Sequence, residues 1–319
     1  MRRLGGPEVL ALATVPEPVA GPGELLVRTT VVGVNFADVY QRIGYGRHQT
    51  PVPFVAGAEG AGRVVAVGAA VEGWAVGDRA VWMHVPASYA QVVAVPARKA
   101  VHVPDGLADD VACAAMLQGV TAEYLAHATY RVGADDTVLV HAAAGGVGLL
   151  LVQMASGLGA RVIATVSTAE KAALAREAGA SEVIRYDRDP VAPAVRALTG
   201  GEGVAAVYDG VGAETFEESL ASLRVRGVLV LFGNASGPVP PFDLSRLAGA
   251  GSVYVTRPTA VDYVRDRAEL EARAGAVFDA VASGRLRIRI GARYALGDAA
   301  RAHADLAGRR TTGKVLLVP

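Results

Sequence analysis

Residues 141–155 read HAAAGGVGLLLVQMA and follow the β-branched run TVLV at 137–140. Ala143, Gly145 and Gly148 take the three small-residue positions of a tight strand-to-helix turn, with Ala in place of the first glycine. Such a turn lets a pyrophosphate approach the main chain, and the following helix presents unpaired N–H groups at the positive end of its dipole. A glycine pattern alone is weak, because a purely structural turn can look the same. Here the pattern follows an apolar strand and opens an apolar helix, which is the context that a dinucleotide site requires. Gly145, Gly146, Val147 and Gly148 are therefore candidate pyrophosphate contacts.

Downstream the texture repeats. ARVIATVS (160–167) reads as a strand and TAEKAALAREAGA (168–180) as a helix; EVIRY (182–186) and PVAPAVRALTG (190–200) repeat the pair. VAAVYDGVG (204–212) is a strand, AETFEESLASLRVRG (213–227) a helix and VLVLFG (228–233) a strand. Strands alternating with helices of this length imply right-handed crossovers and a parallel sheet buried on both faces, a doubly wound domain of Rossmann type. Upstream, ELLVRTTVVGVN (24–35), AGRVVAVG (61–68), DRAVWM (78–83) and YAQVVAVP (89–96) are short runs punctuated by Gly, Pro and Asp. They predict a β-rich, barrel-like lobe. After GSVYVTRP (251–258), a long helical segment (261–284), the strand-like RLRIRIGARYAL (285–296), a short helix (298–309) and the strand KVLLVP (314–319) follow. The fold class expected is α/β, with a β-rich lobe over 1–118, a cofactor lobe over 119–256 and a closing segment over 257–319.

Composition narrows the function. Of 319 residues, 52% are hydrophobic and 19% charged, so the chain has ample material for packed cores. Its 31 basic and 31 acidic side chains cancel, which argues against a field that gathers nucleic acid or an anionic membrane. One cysteine, Cys113, rules out an internal disulfide and a multi-cysteine zinc site, and it sits in an Ala-rich helical pattern as a small buried residue. His48, His84, His102, His127, His141 and His303 lack the spacing of a metal motif. No metal is expected. With no signal-like or membrane-spanning run, a cytoplasmic setting is expected.

The second strand ends in Ser167 and Thr168, followed by Lys171, with Tyr186 ending the third strand. An NAD enzyme commonly places a carboxylate there for the ribose hydroxyls, whereas hydroxyls and an ammonium suit a 2′-phosphate. The alternative for Lys171 is a solvated lysine in a helix's first turn. VVGVNFADVYQRIGYG (31–46) sets Asn35, Asp38, Tyr40 and Tyr45 just after a strand, as an active-site wall or as a hydrogen-bonded loop with buried tyrosines. Asn35 can donate and accept, and each phenol can donate to a developing oxyanion; Asp38 reads as the residue that organises the loop. LQGVTAEYL (117–125) offers Gln118 and Thr121 as contacts for the nicotinamide end of a cofactor or as helix-end groups. Phe232, Gly233, Asn234 and Ser236 in LFGNASG lie at a strand end, where doubly wound sheets bind ligands.

Taken together, GVNFADVY, GAEGAGRVVAVG, GDRAVW, LQGVTAEYL, HAAAGGVG, STAEKAALAREAGASEVIRY, VYDGVG, LFGNASG, VYVTRP and TGKVLLVP occur in one order along nearly the whole chain. In this the sequence resembles the zinc-independent quinone oxidoreductase branch, zeta-crystallin included, of the medium-chain dehydrogenase/reductase superfamily. The resemblance implies a GroES-like catalytic lobe, a Rossmann lobe binding NADPH, and a C-terminal return to the first lobe. It places Ser167, Lys171 and Tyr186 at the 2′-phosphate and Gly145, Gly146 and Val147 at the pyrophosphate. Asn35, Thr121, Phe232 and Ser236 come toward the nicotinamide and its ribose. Gly210 stands where relatives can carry Ser, removing one potential cofactor hydrogen bond. The opening MRRLGGPEVL is several residues shorter than is usual, so an incomplete first strand is expected. Zinc-dependent alcohol dehydrogenases share the architecture, but their ligand cysteines have no counterpart here.

The activity this implies is hydride transfer from NADPH to a quinone, with Asn35, Tyr45 and Thr121 as catalytic candidates and no metal. The alternatives are reduction of an enoyl thioester or enone, and a non-catalytic NADPH-binding structural protein. The partner expected is a small quinone or conjugated carbonyl. A homodimer is expected to pair through the Rossmann edge strand near Val253, since an open edge otherwise invites aggregation.

Overall fold

The computed structural model describes residues 1–46 and 49–319; His48 lies outside them. The chain groups into two compact units, Met1–Val120 with Val264–Ser283 and Ile288–Pro319, and Thr121–Tyr263 with Gly284–Arg287. Residues 257–263 and 284–287 thus group with the second unit.

The first unit is built on a seven-stranded sheet. Its early strands are β1 (Glu24–Val34), β2 (Glu59–Val67), β3 (Arg79–Met83), β4 (Val92–Pro96) and β5 (Ala100–His102), with helices α1 (Phe36–Ile43) and α2 (Asp109–Tyr124). Before β1 there is a single 3₁₀ turn, Pro7–Val9, and no regular strand. β1 pairs antiparallel with β2 and with β4, and alternation along it buries Leu25 and Val27 against Trp74, Trp82 and Val93. A period-2 pattern of this kind selects one face for the core.

The second unit is a six-stranded parallel sheet ordered β11-β10-β9-β6-β7-β8. Its elements run β6 (Thr137–Val140), α3 (Gly146–Gly157), β7 (Arg161–Val166), α4 (Ala169–Glu177), β8 (Glu182–Arg185), α5 (Val191–Leu198), β9 (Val204–Asp209), α6 (Phe216–Ser222), β10 (Leu223–Leu231), α7 (Ser245–Gly249) and β11 (Tyr254–Thr256). The strand order reverses between β6 and β9, and the C-terminal ends of strands at such a switch point are where doubly wound sheets bind ligands. β9 is buried along its whole length, as a central parallel strand must be.

Two expectations from sequence change here. The helix expected over 213–227 stops at Ser222, and LRVRG belongs to β10, bent where the register shifts between Leu223 and Val228. Val253 is not an open edge residue: its N–H donates to the Leu247 carbonyl at 3.2 Å and its side chain lies in the core. Tyr254 and Val255, 61% and 38% exposed, form the outer strand instead.

The chain ends with α8 (Arg267–Ala282), β12 (Ile290–Ala295), α9 (Ala299–Ala307) and β13 (Lys314–Val318). β13 pairs antiparallel with β1, Gly33 opposite Leu316, so the C-terminus completes the first unit's sheet.

Candidate cofactor and active site

The fingerprint turn follows β6. Ala142 sits at φ 49°, a left-handed position that a residue with a Cβ rarely takes and that clusters at functional turns. α3 starts at Gly146 with Gly145 as its cap and no side chain closing its first turn, and the Leu149 N–H donates to the Gly145 carbonyl at 2.9 Å. A Cβ at Gly148 would stand 2.4 Å from the Ala142 carbonyl oxygen and 2.8 Å from the Ala143 Cα. Both are rigid backbone, so only glycine lets the helix seat this close to the turn. A bare helix N-terminus behind a small-residue turn fits a dinucleotide pyrophosphate.

At the end of β7, the Lys171 Nζ reaches to 3.5 Å from the Ser167 hydroxyl, and Tyr186 N–H donates to the Val166 carbonyl, so Tyr186 ends the neighbouring strand beside them. Three of the residues expected at the 2′-phosphate are therefore grouped. Thr168 is not one of them: its hydroxyl accepts from the Lys171 N–H at 3.2 Å and caps α4. The donor set of ammonium, serine and phenol suits a dianionic phosphate and contains no carboxylate to repel it.

The loops after β9 and β10 are tied to each other. The Ser236 hydroxyl donates to the Val211 carbonyl at 2.8 Å and accepts from the Glu214 N–H at 3.0 Å, so its proton is already used within the loop. Gly233 is required by contact, since its Cβ would stand 2.3 Å from the Gly210 carbonyl oxygen. Gly210 packs against that loop in turn, for a Cβ there would stand 2.8 Å from the tip of the Phe232 ring. A serine at 210 would have to displace that ring; the glycine is explained by packing.

In the first unit, Asn35 caps the start of α1, and its side chain is engaged at both ends. Its Nδ2 donates to Glu59 Oε2 at 2.9 Å and its Oδ1 accepts from Lys314 Nζ at 2.9 Å. Lys314 and Glu59 form an ion pair at 2.5 Å, 1% and 0% exposed, and Glu59 Oε1 accepts from the Leu117 N–H at 2.7 Å. A Cβ at Gly33 would stand 2.1 Å from Glu59 Oε2, so Gly33 makes room for this pair. Asn35 thus holds the loop; Glu59 and Lys314 are site-building residues that sequence reading missed.

A second buried chain runs from Asp38. Its Oδ2 accepts from the Asn35 N–H at 2.8 Å and from the Tyr89 hydroxyl at 3.1 Å; Tyr89 meets His303 Nε2 at 2.9 Å, and His303 Nδ1 meets Arg42 Nη1 at 3.3 Å. Arginine can only donate, so His303 Nδ1 accepts, Nε2 carries the proton and donates to Tyr89, and Tyr89 donates to Asp38. Arg42 therefore fixes the direction of the whole chain. Burial pushes the Asp38 carboxyl up to about 7, against the opposing pull of the Asn35 N–H and the Tyr89 hydroxyl. Burial, then Arg42, hold His303 down at about 3, which keeps it neutral. Asp38 organises its loop, as its sequence position implies.

The open face of α1 carries aromatic rings. Phe36 and Tyr40 lie 6.2 Å apart, and Tyr40 and Tyr45 meet edge-to-face at 5.6 Å. Rings tilted against one another in this way pack into an apolar wall with phenol groups on it. Thr121 lies on α2, 7% exposed. Cys113 is buried, and burial pushes its thiol up, away from nucleophile chemistry. Among the described residues, no group of three His, Cys, Asp or Glu side chains is arranged to hold a metal ion.

Comparison with known proteins gives the family and the fold. Residues 21–133 match the family profile described as an alcohol dehydrogenase GroES-like domain, and residues 146–262 match the one described as zinc-binding dehydrogenase. A quinone oxidoreductase of Pseudomonas aeruginosa is 46% identical over 99% of this chain and 97% of its own. A 2-haloacrylate reductase of a Burkholderia species is 41% identical over 100% and 98%. A mycobacterial protein solved in complex with NADPH superposes with a TM-score of 0.96 at 51% identity, covering 99% of this chain and 98% of that one. This chain belongs to the quinone oxidoreductase family of the medium-chain dehydrogenase/reductase superfamily.

Proposed function

We propose that this protein oxidises NADPH and reduces a quinone by hydride transfer, with no zinc in the reaction. The observation that carries the cofactor is the grouping of Ser167, Lys171 and Tyr186 where a carboxylate would otherwise read the ribose. The NADPH-bound mycobacterial neighbour supports it, and the 46% identical relative supports the acceptor. When bound, NADPH supplies a hydride to the acceptor, which takes two electrons with it and one further proton to give the hydroquinone.

The residues of the second unit bind and orient the cofactor: the backbone of 145–148 at the pyrophosphate, and Ser167, Lys171 and Tyr186 at the 2′-phosphate. Thr121, Phe232 and Gly233 serve its nicotinamide side, with Ser236 acting through the loop that it closes. In the first unit, Tyr45 donates a hydrogen bond to the acceptor oxygen as charge develops, and Asn35 holds the loop that carries the aromatic wall. Positioning and electrostatics then carry the rate, with no covalent protein intermediate.

The test is anaerobic NADPH oxidation against quinones, enones and enoyl thioesters, before and after a chelator, with Tyr45→Phe alongside wild type. Turnover with quinones that survives chelation, and that falls in Tyr45→Phe without a change in NADPH affinity, supports the reading. Loss of turnover on removing tightly held zinc overturns it, and binding without consumption of any acceptor favours the structural role. The 2-haloacrylate reductase relative favours a second reading, reduction of a carbon–carbon double bond conjugated to a carbonyl, and a higher kcat/KM on the enones would select it.

No helix among the described residues is long and apolar enough to cross a membrane. With the single cysteine, this supports a cytoplasmic setting. We place the interface of a homodimer at the outer strand Tyr254–Thr256, whose exposed Tyr254 and Val255 would pair with a second copy. Val255→Pro, which leaves the buried Val253 alone, should shift sedimentation toward the monomer. A wild-type monomer at micromolar concentration excludes the interface.

A further inference from the structure

At the switch point of the parallel sheet, beneath the fingerprint turn, lies a buried row of side chains that the reaction above does not use. Asp209 ends β9. Its Oδ1 accepts from the N–H groups of Val211 and Gly212 at 2.8 and 3.0 Å, and its Oδ2 accepts from the Thr215 and Ser219 hydroxyls at 2.7 Å each. Ser219 Oγ meets His141 Nε2 at 3.0 Å, and His141 Nδ1 meets the Thr165 hydroxyl at 2.9 Å. Asp209, Ser219 and Thr165 are fully buried and His141 is 2% exposed.

The direction of every bond in this row can be derived. A serine hydroxyl has one proton, and at 2.7 Å from a carboxylate oxygen it must donate it there, because two bare oxygens at that distance repel. Ser219 then accepts from His141, so His141 carries its proton on Nε2, and Nδ1 accepts from Thr165. Burial lowers the His141 pKa against the pull of Asp209 and Glu218, in keeping with a neutral ring.

The row also has a fixed place relative to the binding loops. His141 opens the turn that leads to Gly145–Gly148, and its own N–H donates to the Tyr208 carbonyl at 3.0 Å. The Asp209 carbonyl accepts from the Phe232 N–H at 2.8 Å, so the carboxylate fixes the loop after β9 while the carbonyl of the same residue fixes the loop after β10. One end of the row thus sets the pyrophosphate turn and the other sets both loops expected at the nicotinamide side.

We propose that Asp209, Ser219 and His141 are positioning residues for the cofactor, a directional bridge that keeps the pyrophosphate turn in register with the loops after β9 and β10. The inference rests on the NADPH reading above. Ser219→Ala removes the middle of the bridge and little else. Its KM for NADPH should rise about tenfold, since both buried hydrogen bonds of the Ser219 hydroxyl are lost, while kcat at saturating NADPH falls less than twofold. Ser222→Ala is the matched comparison: Ser222 is equally buried on the same helix, but its hydroxyl closes only onto the Glu218 carbonyl at 2.7 Å, and its KM should stay at the wild-type value.

A spectroscopic readout is independent of turnover and of the fate of Ser219→Ala. In ¹⁵N-histidine-labelled protein, with His141→Gln used to assign the signal, His141 should show the Nε2–H tautomer. Asp209→Asn presents an NH₂ to Ser219, which then gives its proton to the ring, so the same signal should change to the Nδ1–H tautomer while the bridge and the KM persist. Equal KM changes in Ser219→Ala and Ser222→Ala, an unchanged KM in Ser219→Ala, or an Nδ1–H ring in wild type each overturn the proposal. A wild-type protein that fails to bind NADPH removes the underlying reading and this inference with it; normal NADPH binding in wild type and Ser219→Ala alike removes this inference only.

Discussion

Lys314→Met should cost the first unit about 3 to 5 kcal/mol of stability, because it leaves the Glu59 carboxylate buried without its counter-charge. Lys314 is 1% exposed and its ammonium stands 2.5 Å from Glu59 Oε2, with Asn35 bonded to both. The remaining partners of Glu59, the Asn35 amide and the Leu117 N–H, donate hydrogen bonds but bring no charge. Replacing both members of a buried pair is far milder than removing one, since no uncompensated ion is left. Lys314→Met with Glu59→Gln should therefore recover most of the loss. Both tryptophans, Trp74 and Trp82, lie in the first unit, so fluorescence during denaturant unfolding reads that unit selectively. A single variant that unfolds within about 1 kcal/mol of wild type, or a double variant as unstable as the single, would show that the pair does not carry this load.

The same pair marks where sequence reading runs out. The Rossmann unit is legible because its signals are local: a short apolar β-branched run, a turn of small residues and a helical stretch recur within about thirty residues. That Ser167, Lys171 and Tyr186 are neighbours is legible for the same reason, as all three follow strand ends whose pairing the alternation of strands and helices already implies. Glu59 and Lys314 are separated by 255 residues; each stands in a stretch that carries the resemblance, GAEGAGRVVAVG and TGKVLLVP, but nothing local to either stretch says that the two side chains pair. Only the pairing of β13 with β1 brings Lys314 beside Asn35. That contact gives Asn35 a buried part in holding its loop, which its position after a strand does not reveal.

Val253 and Ser236 teach a related lesson. Both sit in stretches whose texture is right, an alternating edge run and a polar strand-end loop, but texture does not say which backbone or hydroxyl group is already satisfied. Val253 gives its N–H to Leu247, and Ser236 gives its proton to Val211. Bond partners of this kind are set by the tertiary path of the loop, not by the residue type.

Lys171→Ala should weaken NADPH binding tenfold to a hundredfold and leave NADH affinity nearly unchanged. At the end of β7 the Lys171 Nζ stands 3.5 Å from the Ser167 hydroxyl, and the strand runs out into Ser167 and Thr168 where an NAD enzyme commonly places a carboxylate for the ribose hydroxyls. A 2′-phosphate carries close to two negative charges and strong acceptor oxygens, so an ammonium beside it makes a charge-assisted bond of about 1.5 to 3 kcal/mol. At about 1.4 kcal/mol per tenfold change, that is roughly one to two orders of magnitude in Kd. Part of the interaction is with solvent-facing charge, so the preference should shrink as ionic strength rises. NADH lacks the phosphate and loses nothing with the lysine. Because Thr168, not Lys171, caps α4, the substitution leaves the helix start intact and the effect is free of a folding penalty. Fluorescence titrations of wild type and Lys171→Ala with both cofactors measure it. Equal losses for NADPH and NADH would make Lys171 a structural residue, and a wild-type preference for NADH would reverse the cofactor assignment.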